Sequence, residues 1–387
     1  MNDYTADVIV IGGGIAGSSI ALRLAEKGRK VILLEKGRVG EEASGRNGGG
    51  VRQQDRRPEE LPLAMAAIKF WEGMQDELGC DVGYRQGGNL MVARSERQLE
   101  SLIQKKEREL AMGLHVEMLS AEETLRIAPS LAGNFEIFGS KYCPSDGTAN
   151  PLLVVKAISR LARSIGVRIK KHEPVRKLTR SDGKVTAAIT DSGVYRSPVF
   201  VLAAGPWARG LCNTIGFDLP ITVRKSRLMV TEPLPHAVDQ FVILDKLYYR
   251  QTLEGNIHIG GLLPHGAEDF DKSVLFKDFV EVFQWLPQNL PFFRNVNIIR
   301  AFAGLTQNTA DAVAILDKAP GLENLFLTVG FSGHGFCLGP IVGKLIAEWI
   351  VDGKSSIDLS KLRLNRFNDS GLQMKTEKQP AHSLSVR

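Results

Sequence analysis

Residues 6–35 read ADVIVIGGGIAGSSIALRLAEKGRKVILLE, and this stretch decides the fold. The apolar run VIVI stops at glycines, as a buried parallel strand does before a tight turn. From 15 to 27 the period changes: Ile15, Ile20, Leu22 and Leu24, with alanines between, predict a helix that Gly28 ends. VILLE follows at once, giving a βαβ unit in about thirty residues. Across its first turn Gly12, Gly14 and Gly17 stand in G-x-G-x-x-G spacing. The first glycine permits the turn, the second brings backbone close to a pyrophosphate, and the third lets the helix lie on the strand. The first helical residues, Ile15 and Ala16, offer unpaired N–H groups to the negative charge. Glu35, followed by Lys36, ends the second strand, where a carboxylate accepts hydrogen bonds from ribose hydroxyls and disfavours a 2′-phosphate. Alone, G-x-G-x-x-G describes many glycine turns. With both strands and the acid in register it reads as a dinucleotide fingerprint, which does not by itself separate FAD from NAD.

Beyond the unit, a glycine-rich loop at 44–50 leads to helical spacing at Leu61, Met65, Ile68 and Trp71. YRQGGNLMVA reads as a hairpin, 95–112 as a charged amphipathic helix, and SAEET as a capping box. A helix over 150–166 and strands near Val175, Val185 and Val199 follow. Residues 221–303 hold several strand-like segments with a helix at 272–285, an α+β pattern inside an α/β chain. The last third returns to glycines and a helix, LFLTVGFSGHGFCLGPIVGKLIAEWI, in which Pro340 is expected as the first helical residue. No internal repeat is visible, and 367–387 is a polar tail.

The 387 residues exceed one typical hydrophobic core, so two domains are expected. A formal charge of +6, spread along the chain without aromatic-interleaved basic blocks, argues against a nucleic-acid partner. MNDYTADVIVIGGG lacks the pattern of a signal peptide, and no run reaches membrane-spanning length. Cys80, Cys143, Cys212 and Cys337 are far apart and form no C-x-x-C, so no zinc or iron–sulfur ligand set is encoded, and a reducing cytoplasm is the expected location.

Later segments resolve the choice of dinucleotide by resemblance. VFVLAAGPWA at 199–208, FSGHGF with Gly339, Pro340 and Gly343, and RAFAGLTQNTADAVAIL are similar to the D-amino-acid oxidase superfamily of FAD-dependent oxidoreductases, over about 6–349. ASGRNGGGVRQQ resembles the beta subunit of multimeric sarcosine, proline and hydroxyproline dehydrogenases and opine oxidases. The resemblance implies a Rossmann-like FAD-binding domain (1–80, 145–220 and 301–366) with an inserted α+β substrate domain on a mixed sheet (81–144 and 221–300). Implied flavin contacts are Ser44, Arg46, Asn47, Gly48 and Gly49 in the loop, then Val175, Ala204, Gly205, Trp207, Gly304, Gly333, His334, Gly335 and Phe336. Relatives that attach a flavin covalently use a histidine after G-T-A, where Asn150 and Pro151 stand here, or a cysteine near Leu305 or Thr306, so noncovalent FAD is expected. An oxygen-activating lysine of monomeric relatives aligns with His258.

An amino-acid carboxylate needs a cation, because a buried unpaired anion is costly, and arginine holds it with two parallel hydrogen bonds. Arg52, Arg250 and Arg300 are the candidates, each also readable as a surface or structural arginine. Tyr248 and Tyr249 point to opposite faces of a strand, so one of them can line a pocket; Tyr249 is placed in the candidate set. His334 has a structural and a catalytic reading. No strong base is required: a secondary amine with a free lone pair can pass hydride from its α-carbon to flavin N5, leaving an imine for water. The expected function is oxidation of a small N-substituted or cyclic amino acid by the catalytic subunit of a complex. An alpha subunit, and in some members a small ferredoxin-like one, would be its partners, with FMN at an interface between subunits left open. Two alternatives remain: a self-sufficient D-amino-acid or glycine oxidase, and a non-catalytic FAD electron-transfer subunit.

Overall fold

Strand Val8–Ile11, helix Ile15–Glu26 and strand Val31–Leu34 form in sequence. A computed structural model describes residues 2–245, 247–261 and 270–369. Both strands are buried along their whole length, because helices and further strands cover each face of the sheet they enter. That sheet has six strands in the order Ile315–Lys318, Leu325–Val329, Val199–Leu202, Val8–Ile11, Val31–Leu34 and Arg168–Lys170. Only its edge strand Ile315–Lys318 is antiparallel. The helix Ile15–Glu26 lies against the last long helix, Gly335–Asp352, with little space between them. A β-carbon on Gly339 would sit 2.6 Å from Ile15, and one on Gly343 would overlap Ser19. The second and third glycines of the last helix thus bring two helices together over the dinucleotide turn.

The second large sheet has eight strands: Ile298–Asn308, Thr222–Pro233, Asn256–Gly260, Leu247–Gln251, Phe241–Leu244, Asn89–Ala93, Gly139–Cys143 and Glu117–Leu119. All neighbours are antiparallel except Phe241–Leu244 with Asn89–Ala93, so the sheet is mixed. One face is an apolar core of Tyr249, Val242, Leu90, Ile257 and Ile259 beneath Val282 and Leu286 of the helix Val280–Asn289. The other face turns toward the loop after Glu35. Strand Ile298–Asn308 is a single edge strand that runs through the domain boundary expected at 300/301.

Four sequence expectations are corrected. YRQGGNLMVA is no hairpin: Asn89–Ala93 pairs with Gly139–Cys143 and Phe241–Leu244, while Arg85 bridges Thr148. The helix expected at 272–285 starts at Val280, since Asp278 is held back in a separate helical turn. Val175 precedes its strand, which begins at Lys177. Pro340 is the sixth residue of the last helix, not the first. Its missing N–H leaves the Phe336 carbonyl without the usual partner one turn on. Ser120 and Glu123 do form the capping box, and Ser95 and Asn150 cap the helices Glu96–Ala111 and Pro151–Ser164. Most of the polar tail, 370–387, lies outside the described residues.

Candidate active site

The fingerprint turn is fixed by contacts that leave no room for side chains. Gly12 has φ +107°, and a β-carbon there would overlap the Ala203 carbonyl in the turn after Val199–Leu202. One on Gly17 would overlap the Gly12 carbonyl oxygen, so helix and strand touch backbone to backbone. Gly14 differs, because its β-carbon would meet only the Ser44 hydroxyl, 2.9 Å away. Ser44 Oγ accepts from the Ile15 N–H at 2.9 Å and so joins the loop to the helix start. Glu35 Oε2 accepts from Gly13 N–H (2.7 Å) and Oε1 from Gly37 N–H (2.8 Å). Burial raises its carboxyl pKa against the pull of those two amides. Lys36 sits 3.7 Å above the Trp207 ring and pairs with Glu42 at 2.7 Å. Ala204 and Gly205, the latter with φ +55°, form the adjoining turn.

From Ser44 the loop runs across the open face of the eight-stranded sheet and touches three of its strands. The Arg46 side chain donates to the carbonyls of Glu41 (2.7 Å) and Ala303 (3.3 Å), and a β-carbon on Gly304 would sit 2.8 Å from the Arg46 carbonyl. Asn47 Nδ2 donates to the Ala43 and Ser44 carbonyls, while its Oδ1 accepts from Gly49 N–H at 2.8 Å. Gly48 lies on the Tyr248 ring, Gly49 against Arg250, and Gly50 beside Phe241. Arg250 Nε donates to the Gly48 carbonyl. Gly50–Val51 then pairs with Gly147–Thr148. Three consecutive glycines are required because rings and a guanidinium occupy the space that side chains would fill.

The strand register aligns Phe241, Arg250, His258, Val230 and Arg300 in one row on this face. Tyr248, opposite Gly260, lies in the next row and stacks on Phe241 at 5.0 Å. Tyr249 is therefore the wrong tyrosine. It points into the apolar core, bonded to Ser130 at 3.0 Å and edge-on to Phe293, and Tyr248 takes the place at the loop. Arg52 lies 5.1 Å above the Phe241 ring. Burial brings Arg52 down to about 10, with Arg56 adding to the shift and Asp146 opposing it; burial brings Arg250 down to about 10 as well. Burial likewise raises Tyr248 to about 12 against the two arginines. His258, lowered to about 3 by burial and then by Arg250 and Arg300, is neutral, and its Nδ1 has no hydrogen-bond partner among the described residues.

The loop before the last helix brings in His334. Gly333 has φ +89°, His334 is the N-cap residue, and Gly335 is the first helical residue. His334 Nδ1 bonds Glu60 Oε2 at 2.5 Å, and that carboxylate, fully buried, also lies 4.0 Å from Arg56 and accepts from Ala314 N–H. Burial and Arg56 lower His334 against the opposing pull of Glu60. The Phe336 side chain faces away from the loop, packed on Trp71 in the core, so only its backbone belongs to this corner. Glu60 and Asp146 were not anticipated. Asp146 accepts from Gln53 N–H at 2.8 Å, and burial lifts it to about 6 despite that amide and Arg52. Val175 sits partly buried near Glu35, whose carbonyl accepts from Glu173 N–H.

These residues suit a bound dinucleotide: a glycine turn that a β-carbon would block, a helix start beside it, and an unpartnered imidazole nitrogen across the loop. The family model described as FAD dependent oxidoreductase matches residues 7–349. The chain belongs to this family of FAD-dependent oxidoreductases. It has the Rossmann-like nucleotide domain of the D-amino-acid oxidase superfamily. It is 28% identical to an opine oxidase subunit of Rhizobium meliloti, covering 94% of this chain and 98% of that one. Against 4-methylaminobutanoate oxidase (formaldehyde-forming) of Paenarthrobacter nicotinovorans it is 27% identical over 93% of its own length but 45% of the relative's, so it spans about half of that protein. The crystal structure of L-proline dehydrogenase from P.horikoshii superposes with a TM-score of 0.89 at 25% identity, covering 95% of this chain and 99% of that one. Among the described residues no helix is long and apolar enough to cross a membrane.

Proposed function

We propose that the chain oxidises the C–N bond of a small N-substituted or cyclic amino acid, as the catalytic subunit of a hetero-oligomeric dehydrogenase or oxidase. The observation that carries this is the loop 44–52, which joins the dinucleotide turn to two arginines, half-buried Arg52 and buried Arg250, that form no ion pair with any described residue. An unpaired buried cation is costly, and a substrate carboxylate would relieve it. FAD would be held by Gly12, Gly14, Gly17, Glu35 and Ser44, with the loop glycines and the start of the last helix against its ring. When bound, FAD supplies the acceptor for the hydride that leaves the carbon next to nitrogen. Arg52 and Arg250 fix the carboxylate, Tyr248 and Phe241 close the apolar side, and neutral His258 leaves the amine lone pair free of a competing proton donor at neutral pH. Glu60 sets the orientation of His334 where the last helix begins.

In this reading 1–80, 145–220 and 301–366 hold the nucleotide and 81–144 with 221–300 the substrate. The FAD is noncovalent, because neither Asn150 nor Leu305 or Thr306 offers an attachment atom of the required type. Four unpaired cysteines support a reducing compartment, which we take to be the cytoplasm. An alpha subunit, with or without a ferredoxin-like one, reoxidises the flavin, and FMN at that interface belongs to the same proposal. The test is to purify the chain alone, release its flavin with acid, and assay a panel of N-alkyl and cyclic amino acids with oxygen and with an artificial acceptor. Free FAD, slow turnover with oxygen and fast turnover with the acceptor are expected. Rapid peroxide formation by the lone chain would promote the self-sufficient oxidase, and no turnover with any acceptor would leave an electron-transfer subunit.

A further inference from the structure

Arg52 is held from behind by a buried polar circuit. Gly50 pairs with Thr148 and Val51 with Gly147, so the next position in that antiparallel register sets Arg52 against Asp146. The backbone ladder stops there, and the Asp146 side chain takes its place: Oδ1 accepts from the Gln53 N–H at 2.8 Å and Oδ2 from the Gln54 N–H at 3.5 Å. The Arg52 carbonyl accepts from Arg56 at 3.0 Å. Gln54 Nε2 donates to the carbonyl and to Oδ1 of Asn89, both at 2.7 Å, and Asn89 Nδ2 donates to the Phe241 carbonyl at 2.6 Å. A main-chain path closes the circuit, because the Asp146 carbonyl accepts from Gly88 N–H and the Gly88 carbonyl from Phe241 N–H, each at 2.9 Å. The Phe241 ring is the one over which the Arg52 guanidinium lies. Gln53, Gln54, Asn89 and Asp146 are all buried.

Buried polar groups are costly unless they are bonded, and a satisfied circuit fixes the groups it joins in one arrangement. Here it joins the backbone that carries Arg52 to the ring beneath the Arg52 guanidinium. Resting on the reading above, in which Arg52 holds the substrate carboxylate, we infer that Asp146 is a positioning residue for Arg52. It acts through the Gln53 and Gln54 N–H groups, which it holds so that residue 52 keeps its place over Phe241, while Gln54 and Asn89 tie the same loop to the strand Phe241–Leu244. A carboxylate suits this task because it accepts from both N–H groups. The single oxygen of an amide accepts from one of them, and its NH₂ meets the other donor. Loss of the acceptor leaves two buried N–H groups to find other partners and frees the guanidinium to drift. The cost then falls on binding of the carboxylate and not on the step that follows it.

The test uses the FAD-loaded full chain with L-proline, N-methylalanine and an artificial electron acceptor. Pyrrole-2-carboxylate, a planar acid with no hydride to give, is the binding probe, read from the change in the flavin absorption spectrum. Asp146→Ala should raise KM for the amino acids and Kd for the probe about tenfold or more, with kcat and FAD content within about threefold of the wild type. Asp146→Asn, which keeps one acceptor, should recover most of the affinity. Gln54→Met leaves the Asp146 contacts in place and cuts the tie to Asn89, so it should show the same signature at about threefold, and it decides the matter if Asp146→Ala does not fold. Asn324→Ala is the control: it removes two contacts to the Val185 backbone, of 2.8 and 2.9 Å, at the end of the six-stranded sheet opposite the dinucleotide turn, and should lower stability without moving KM. Unchanged KM and Kd in Asp146→Ala and Gln54→Met, a parallel loss of kcat and FAD in both, or a matching rise of KM in Asn324→Ala would overturn the positioning role and leave amine oxidation standing. A wild type that turns over neither amino acid and does not bind the probe would overturn both.

Discussion

The dinucleotide turn and the substrate face make opposite use of glycine and charge. In the turn, Gly12 and Gly17 are squeezed by carbonyl oxygens of their own sheet and helix, and the one acid, Glu35, is tied to backbone amides. On the substrate face, Gly48 and Gly49 yield to the side chains of Tyr248 and Arg250, which come from about 200 residues further along the chain, and Arg52 and Arg250 form no close ion pair among the described residues. The first region is complete without a ligand in its electrostatics. The second is not, and a charge imbalance of that kind is what an anionic substrate corrects.

The largest expected effect separates the glycines within the turn. Gly17→Val would force a side chain into the Gly12 carbonyl, and soluble, flavin-bearing protein should fall to less than about a tenth of the wild-type yield, a penalty on the order of 3 kcal/mol or more. Gly14→Ala meets only the mobile Ser44 hydroxyl, so it should fold, with a loss of about 1 kcal/mol from disturbing the bond that Ser44 makes to the helix start, visible in a denaturant titration. Equal damage from both would mean that the turn is not held by backbone contact.

On the other face, Arg250→Met should raise KM by roughly thirtyfold, about 2 kcal/mol, with flavin content measured after acid release little changed. It also leaves the Gly48 carbonyl without its donor, so a stability loss of about 1–3 kcal/mol should accompany the kinetic one. An unchanged KM would move carboxylate recognition away from this row.

Glu60→Gln should act through His334. The Glu60 carboxylate opposes the lowering caused by burial and Arg56, so removing its charge lowers His334 further. A neutral buried histidine loses stability as pH falls from its unfolded value of about 6.5 toward its folded value, because the unfolded chain takes the proton first. The variant should therefore lose stability more steeply below about pH 6.5 than the wild type, by roughly 1 kcal/mol, and an unaltered acid limb would show that the 2.5 Å contact carries no electrostatic weight.

At pH 7 the smallest effect is that of His258. Its folded value of about 3 places the same acid-side loss between about pH 6.5 and 3, and His258→Gln should flatten that window by roughly 1 kcal/mol for each pH unit while leaving stability at pH 7 almost unchanged. Destabilisation at pH 7 as large as that at pH 4 would point to packing instead of charge.

How much of this was legible in the sequence follows from the same contrast. Residues 6–35 were readable because strand, turn, helix and acid are neighbours in the chain and each carries a local steric signature. The eight-stranded sheet was visible as segments, but its order depends on pairings between strands far apart, such as Asn89–Ala93 with Phe241–Leu244, which no local pattern specifies. Alternation showed that Tyr248 and Tyr249 face opposite ways without saying which side meets the loop, and the wrong one was placed in the site. Glu60 went unseen because an acid just before the helix Leu61–Glu72 is ordinary for a helix start, and its partner His334 is 274 residues away. The arginines are legible in the sequence only as a type of residue; the strand register is what puts Arg250 and Arg300 in one row with His258.

The central claim is that the fingerprint turn and the arginine face serve one reaction. Its most direct measurement is an anaerobic titration of the purified, FAD-loaded chain with a secondary amino acid, following the oxidised-flavin absorption band. The account predicts complete bleaching at about one substrate per flavin, and a far slower bleaching at the same concentration in Arg250→Met. A flavin that stays oxidised with every secondary amino acid tried, yet is reduced by dithionite, would contradict it.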